Sequence, residues 1–435
     1  MRVMFAVFPG PSHVPPVVPL AWALRAAGHE VVLVSHPGTA GRIEGTGLAP
    51  VALGEPEDLA ASVRGCAADP RMARIVDAFG LDPADPAGRS WIGTYLLSAF
   101  RHYYLTDQAA GPRAMTRRLT AFARQWCPDL VLWDPLFFPA PLAARACGAA
   151  HARVLWGLDH LAWARERLRA GTAGTAGTAG ADGTADPMAE LMAPVLDEAG
   201  IDFAEDLLAG QWTIDPMPAR MRLPVDLPYL TMRRIPFAPA RVLPEWLSGP
   251  PERPRICLTL GHGEGRPDTQ GARLVRAVVD AVTGLDVELV ATLTSGQAAV
   301  AGPLPDNVRT VDYVSLDQLL PSCAAVVHHG GGGTFAAAVA HRVPQLIAPP
   351  EVGDYAAIAR YVAGRGAGAV LDGATATAAD IREQLTGVLH GDRYRAGVTD
   401  LYTELLAAPA PGDLVPVLER LTRLHRERPA ARKEG

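Results

Sequence analysis

The first 35 residues set the strictest limit on the fold. Val3–Phe8 is an unbroken apolar run, and a short run with no polar alternation reads as a strand covered on both faces. Pro9-Gly10-Pro11-Ser12 breaks it. Pro16–Ala27 then reads as a helix, with proline near its start and Gly28 just past its end, the usual asymmetry of helix termini. Val31–Val34 is a second buried strand. Strand, helix and strand in this order imply a right-handed crossover and a parallel sheet. Leu130–Trp133 repeats the strand-then-turn pattern and ends at Asp134-Pro135.

A second series of the same kind follows. Ile256–Leu260 reads as a strand, Arg273–Val282 as a helix, and Val287–Leu293, Val308–Val311 and Ala325–His328 as strands. A helix opens over Thr334–Ala340, Gln345–Ala348 is another strand, and helical segments close the chain near Leu401–Leu406 and Leu414–Leu424. Between the two series prolines recur at Pro224, Pro228, Pro236, Pro239, Pro244, Pro250, Pro251 and Pro254, as in an interdomain connector. A chain of 435 residues holds two or three domains at roughly 100–200 residues each. The expected division is an N-terminal domain over 1–220, a connector over 221–254 and a second domain over 255–405. A C-terminal helix over 406–435 is expected to cross back to the first domain. The Gly-Thr-Ala tract starting at Gly171 has little apolar area to bury and predicts a mobile loop over about 171–187. The fold class expected is α/β, with two Rossmann-like α/β/α domains facing across a cleft at the carboxyl ends of their strands.

Composition narrows the function classes. The formal net charge is -6, so no global basic surface argues for nucleic acid or an anionic membrane. The five cysteines, Cys66, Cys127, Cys147, Cys257 and Cys323, form no CxxC pair; they fit neither a zinc site nor a disulfide framework, and a reducing compartment suits them. Val3–Phe8 is too short for a signal core, and no run reaches the roughly 18 apolar residues of a spanning helix. The expectation is a cytoplasmic protein with no metal centre.

The most informative segment is Val326-Val327-His328-His329-Gly330-Gly331-Gly332-Gly333-Thr334-Phe335. An apolar strand runs into two histidines, four glycines and a helix. The glycines let the backbone approach a bulky ligand, and the helix start offers unpaired N–H groups and a positive dipole end. That is an anion site, to which Thr334 can add a hydroxyl. No Gly-Lys-Ser/Thr follows, so it is not a Walker loop; the first strand–helix turn is Pro9-Gly10-Pro11-Ser12-His13, so it is not a dinucleotide fingerprint either. A nicotinamide or flavin enzyme is thereby disfavoured. His13, in the turn after the first strand, stands at the top of the sheet, where an imidazole can act as a general base near neutral pH.

Val327–Thr334, followed by Val343-Pro344-Gln345, resembles the donor-binding signature of bacterial antibiotic glycosyltransferases of the UDP-glycosyltransferase superfamily, which have the GT-B fold. The resemblance implies that His328, with Gly332, Gly333 and Thr334, binds the donor diphosphate; His329 is the alternative contact. Val311-Asp312-Tyr313-Val314-Ser315-Leu316 resembles the base-binding turn, so Tyr313 would stack on the pyrimidine and the Val314 backbone would pair with its edge. Pro349-Pro350-Glu351-Val352-Gly353-Asp354-Tyr355 resembles the sugar-contacting loop and implies Asp354 and Tyr355 as donor-sugar contacts. Many relatives carry Asp-Gln there. Tyr355 removes an amide that would pair with hydroxyls, which suits a deoxysugar. Gly261-His262-Gly263 stands where a further phosphate loop lies. Ser12-His13 and Val18-Pro19-Leu20-Ala21 match the turn that holds the catalytic base, and Asp134 matches the carboxylate that orients it.

Val18–Ala23, Asp134-Pro135-Leu136, Gly210–Pro216 and Pro244-Glu245-Trp246-Leu247 narrow the likeness to the erythromycin desosaminyltransferase and anthracycline glycosyltransferase group. The resemblance implies an inverting, metal-independent transfer of a deoxysugar from a thymidine diphosphate sugar to a hydroxyl of a polyketide aglycone, macrolide or anthracycline-like, in antibiotic biosynthesis. The nucleotide sugar is a co-substrate and no cofactor is implied. A cytochrome-related activator protein, with the region around Gly171–Pro187 near its contact surface, and a homodimer are the assemblies it suggests. Trp91, Tyr95, Phe137 and Trp156 either line the acceptor pocket or form core. Two other readings share the scaffold. A nucleotide-sugar epimerase would release no nucleotide in step with an acceptor, and a non-catalytic accessory subunit would need no base at position 13.

Overall fold

A computed structural model describes the chain apart from residues 57–58, 83–87, 90, 106–111, 176–185, 240, 262–268, 294–296, 298–301, 351 and 427–435. It comprises two compact units, Met1–Met232 together with Pro409–Gly435, and Arg233–Ala408.

The first unit is built on a seven-stranded sheet in the order β3-β2-β1-β4-β5-β6-β7. The strands are β1 (Arg2–Ala6), β2 (Glu30–Ser35), β3 (Ala49–Ala52), β4 (Leu130–Trp133), β5 (Ala150–Val154), β6 (Trp212–Asp215) and β7 (Tyr229–Thr231). Every pairing is parallel. Leu130, Val131, Leu132 and Trp133 are all fully buried, which is why their run carries no polar alternation. The helix Val18–Ala26 crosses from β1 to β2 with Pro19 in its first turn, and the chain leaves it through Gly28 at φ +85°. The helix Pro411–His425 packs against Val18–Ala26 and β5. His29 Nε2 stands 3.1 Å from Glu419, and the rings of Trp212 and His425 meet at 5.4 Å.

The second unit holds a six-stranded sheet in the order β10-β9-β8-β11-β12-β13. Its strands are β8 (Arg255–Thr259), β9 (Glu288–Thr292), β10 (Val308–Val311), β11 (Cys323–His328), β12 (Gln345–Ile347) and β13 (Gly368–Val370), again all parallel. Both sheets are doubly wound. In each, the strand order reverses beside the first strand, between β1 and β4 and between β8 and β11, and the crevice at such a switch point is where an α/β sheet receives its ligand.

The expected loop over 171–187 needs correcting at both edges. Gly171–Thr175 continue the helix His160–Thr175, and Pro187 opens the helix Pro187–Ala199, with Asp186 as its side-chain cap. Residues 176–185 lie outside the described residues. No described helix is long and apolar enough to cross a membrane.

Candidate active site

The carboxyl ends of β1 and β4 bring two of the expected residues together. His13 Nδ1 lies 2.7 Å from Asp134 Oδ2, and both side chains are almost wholly buried, at 1% and 2% exposure. Asp134 is fixed from its own side: Oδ1 accepts from the Leu136 N–H at 2.9 Å, and its backbone N–H donates to Ala6 at the end of β1. The turn that carries His13 closes on itself, with the His13 N–H donating to the Gly10 carbonyl at 3.1 Å. Gly10 cannot be larger: a Cβ there would stand 2.4 Å from His13 Cδ2. A carboxylate only accepts hydrogen bonds, so Nδ1 carries the ring proton and Nε2 the lone pair. That is the tautomer a general base needs.

Aromatic rings surround the imidazole. Phe8 lies at 5.1 Å and Trp156 at 4.9 Å from the His13 ring. The Tyr95 hydroxyl reaches Nε2 at 3.1 Å, and Tyr95 stacks on Trp91 at 4.4 Å and 11°. Of the four aromatics singled out in the sequence, Trp91, Tyr95 and Trp156 stand beside or next to the base. Phe137 is core, packed on His36 and Tyr103.

The other expected residues gather at the carboxyl end of the second sheet. The helix Gly332–Ala340 starts immediately after the glycine turn. Its first intrahelical bond is from the Phe335 N–H to the Gly331 carbonyl, which leaves the Gly332, Gly333 and Thr334 amides without helical partners. These three sit where an anion would be held.

The structure separates the two histidines by their surroundings. His328 is fully buried. Its Nε2 bonds Gln345 Oε1 at 3.0 Å, and its Nδ1 accepts the Gly330 N–H at 3.0 Å. With both ring nitrogens engaged inside the fold, His328 holds the turn in shape and has no atom to offer a phosphate. Burial, reinforced by the neighbouring His329 imidazole, pushes it down to about 3, against a smaller opposing pull from the Gln345 bond. His329 is the residue that borders the turn. Its ring packs on Tyr355 at 5.2 Å and fills the space over Gly331, where a Cβ would stand 2.8 Å from Nε2. Burial lowers its pKa too, with the Thr259 carbonyl acting the other way. Both imidazoles are therefore neutral near pH 7.

A guanidinium beside this turn belongs to a residue the sequence reading missed. The Arg234 guanidinium lies over Gly332: a Cβ on that glycine would stand 3.5 Å from Nη1 and 3.6 Å from Nη2. Arg234 belongs to the proline-rich stretch and to no periodic pattern, so no sequence signal marked it. Gly330, at φ +94°, faces the Tyr355 carbonyl at 3.1 Å from where a Cβ would be, so only glycine fits there.

Tyr313 and Val314 follow the edge strand β10. Val314 is buried, leaving its backbone as its contribution. Arg241 lies over the Tyr313 ring at 5.5 Å, so one ring face is already covered. Asp354 immediately precedes the helix Tyr355–Gly364. Gly261 lies against the His329 ring; His262 and Gly263 lie outside the described residues. Among the described residues no group of three His, Cys, Asp or Glu could hold a metal ion.

Residues 22–261 match the N-terminal domain, and residues 276–421 the C-terminal domain, of the erythromycin biosynthesis protein CIII-like family. The chain belongs to that family. This CIII-like chain is 40% identical to the aclacinomycin-T 2-deoxy-L-fucose transferase of Streptomyces galilaeus, over 99% of this chain and 98% of the relative. It is also 40% identical to the 10-deoxymethynolide desosaminyltransferase of Streptomyces venezuelae, over 99% of both. Among solved structures it is similar to the glycosyltransferase VinC in complex with dTDP, with a TM-score of 0.81, 37% identity, and 98% of this chain and 100% of that one covered. The CIII-like chain is thus a glycosyltransferase with the two Rossmann-like domains of the GT-B class.

Proposed function

We propose that this glycosyltransferase moves a deoxysugar from its thymidine diphosphate ester to a hydroxyl of a polyketide aglycone. In this reading the anomeric carbon is inverted and no metal takes part. The observation that carries it is the buried His13–Asp134 pair at a switch point, which offers an imidazole lone pair to an incoming alcohol. The acceptor oxygen attacks the anomeric carbon as its proton passes to His13 Nε2. The bond from that carbon to the diphosphate breaks, and its electron pair leaves on the nucleotide. Asp134 stabilises the imidazolium as it forms. A single in-line displacement of this kind inverts the centre.

Leaving-group charge falls on the Gly332, Gly333 and Thr334 amides and on Arg234. Tyr313 and the Val314 backbone take the base, and Asp354 with Tyr355 takes the sugar. Support for thymidine diphosphate comes from VinC, whose solved complex contains dTDP. Support for a deoxysugar and a polyketide comes from relatives named as an aclacinomycin-T 2-deoxy-L-fucose transferase and a 10-deoxymethynolide desosaminyltransferase. A cytochrome-related helper belongs to the proposal by family likeness, and full activity of the chain alone would remove it.

The test is His13→Ala. Transfer should fall by about two to four orders of magnitude, the usual worth of a general base, while thymidine diphosphate still binds. Undiminished turnover in that variant would sink the reading.

A further inference from the structure

The reactive nitrogen of His13 is covered. Nδ1 is committed to Asp134, so the lone pair sits on Nε2, and the group that meets it is the Tyr95 hydroxyl at 3.1 Å. A phenol facing a lone pair donates. With 1% of the His13 side chain exposed, Nε2 is shielded from solvent, and the Tyr95 hydroxyl is the polar group beside it.

The segment that carries Tyr95 is itself unusual. Trp91–Leu96 is a π-helical turn, a form that is rare, short and frequent at functional sites. Trp91 and Tyr95, four residues apart, share one face of it, and their rings stack at 11°. The Trp156 ring closes the other side, edge-on to both Tyr95 and His13. Neither Trp91 nor Tyr95 is fully buried, and both pack on the edge of the first unit's core. The same residues could be read as ordinary packing. Packing, however, needs only the ring; the hydroxyl on Nε2 is the feature that calls for a function.

Resting on the reading of His13 as the base, we propose that Tyr95 is a positioning residue that guards it: its hydroxyl holds the place at Nε2 which the acceptor hydroxyl takes over. The guard matters because the donor is an activated sugar. With a donor bound and Nε2 open, a water molecule could do what the acceptor does. Its oxygen would attack the anomeric carbon, its proton would pass to Nε2, and the carbon–oxygen bond to the diphosphate would break. Free sugar and nucleoside diphosphate would result. Tyr95 denies water that position, and an acceptor able to displace the phenol gains it.

The experiment measures thymidine diphosphate release without acceptor, and transfer with it. The donor is whichever of the thymidine diphosphate sugars of 2-deoxy-L-fucose, desosamine and daunosamine gives the fastest transfer. Tyr95→Phe keeps the ring and its stack. Acceptor-free release should rise about tenfold, and the acceptor KM should fall about fivefold, since a hydrogen bond of roughly 1 kcal/mol is no longer exchanged. Tyr95→Leu should raise release as well. Adding His13→Ala to Tyr95→Phe should abolish the increase. Release that stays at the wild-type rate in both Tyr95 variants overturns the guard, and so does an increase that survives loss of His13. Transfer that collapses in Tyr95→Phe while release stays low would make the phenol a proton relay and overturn it equally. Undiminished transfer by His13→Ala alone would instead sink the reading of the base, so the two failures are distinguishable.

Discussion

At the scale of single residues, the adjacent histidines show how burial assigns roles that identity leaves open. His328 and His329 are chemically equal, yet one is sealed between Gln345 and the Gly330 amide while the other borders the turn. A consequence is a pH dependence of stability. An unfolded chain takes up a proton at this imidazole below about pH 6.5, whereas the folded chain holds His328 neutral down to about 3. The unfolded state binds more protons in that window, so stability falls as the pH drops from about 6.5 towards 3. His328→Asn should be less stable at pH 7, having lost the bonds that shape the turn. It should then lose less than the wild type between pH 7 and pH 5. Urea midpoints at the two pH values check this, and parallel pH slopes would contradict it. The sequence could not separate the two rings, because the partner that seals His328 lies 17 residues on, on the neighbouring strand. Arg234 and the Tyr95 hydroxyl were unreadable for a related reason. Each reaches its site through tertiary packing, Arg234 from a proline-rich connector and Tyr95 from a stretch where the sequence left pocket lining and core undecided.

At the scale of elements, much more was legible. Strands buried on both faces show as apolar runs, and the ends of such runs mark where side chains emerge beside a ligand. The strand ends placed His13 and Asp134, 121 residues apart, at the same edge of a sheet, and the family resemblance was needed to pair them. What the runs do not reveal is how neighbouring strands are locked at the outer part of the first sheet. Arg153 on β5 is fully buried and grips Asp159 through two bonds, at 2.9 Å and 2.5 Å. It also bonds Thr213 on β6, and Tyr229 on β7 donates to the same Asp159 carboxylate at 2.8 Å. Three strands thus share one buried ion pair. Removing one member strands the other charge in the interior, which costs about 3–5 kcal/mol. Asp159→Ala should lower unfolding stability by about that much, and Asp159→Ala with Arg153→Met should recover part of it. Equilibrium denaturation measures both, and a change under about 1 kcal/mol in the single variant would show that the pair is not structural.

At the scale of the whole molecule, periodicity led to two α/β series closed by helical segments. The first unit takes in Pro409–Gly435, a grouping that no periodic pattern marks. Leu414, Val415 and Leu418 of the helix Pro411–His425 are buried, and each buried side chain of this size is worth about 2 kcal/mol. Together they amount to much of the margin of a typical domain, about 5–15 kcal/mol. A chain ending at Ala408 should therefore leave the first unit prone to proteolysis, while Arg233–Ala408 remains resistant. Limited proteolysis with mass mapping reads out each unit separately, and equal resistance of both units would contradict the expectation.

The same returning helix bears on how the protein is made. Synthesis runs from the amino end, and domains generally fold in that order as they leave the ribosome. Here the first sheet emerges early but lacks part of its covering layer until the last stretch of chain has been released. The second unit can close on its own schedule in the meantime. The nascent first unit must wait with an apolar flank uncovered for the whole of that interval, so it is the half that would depend on chaperones in the cell.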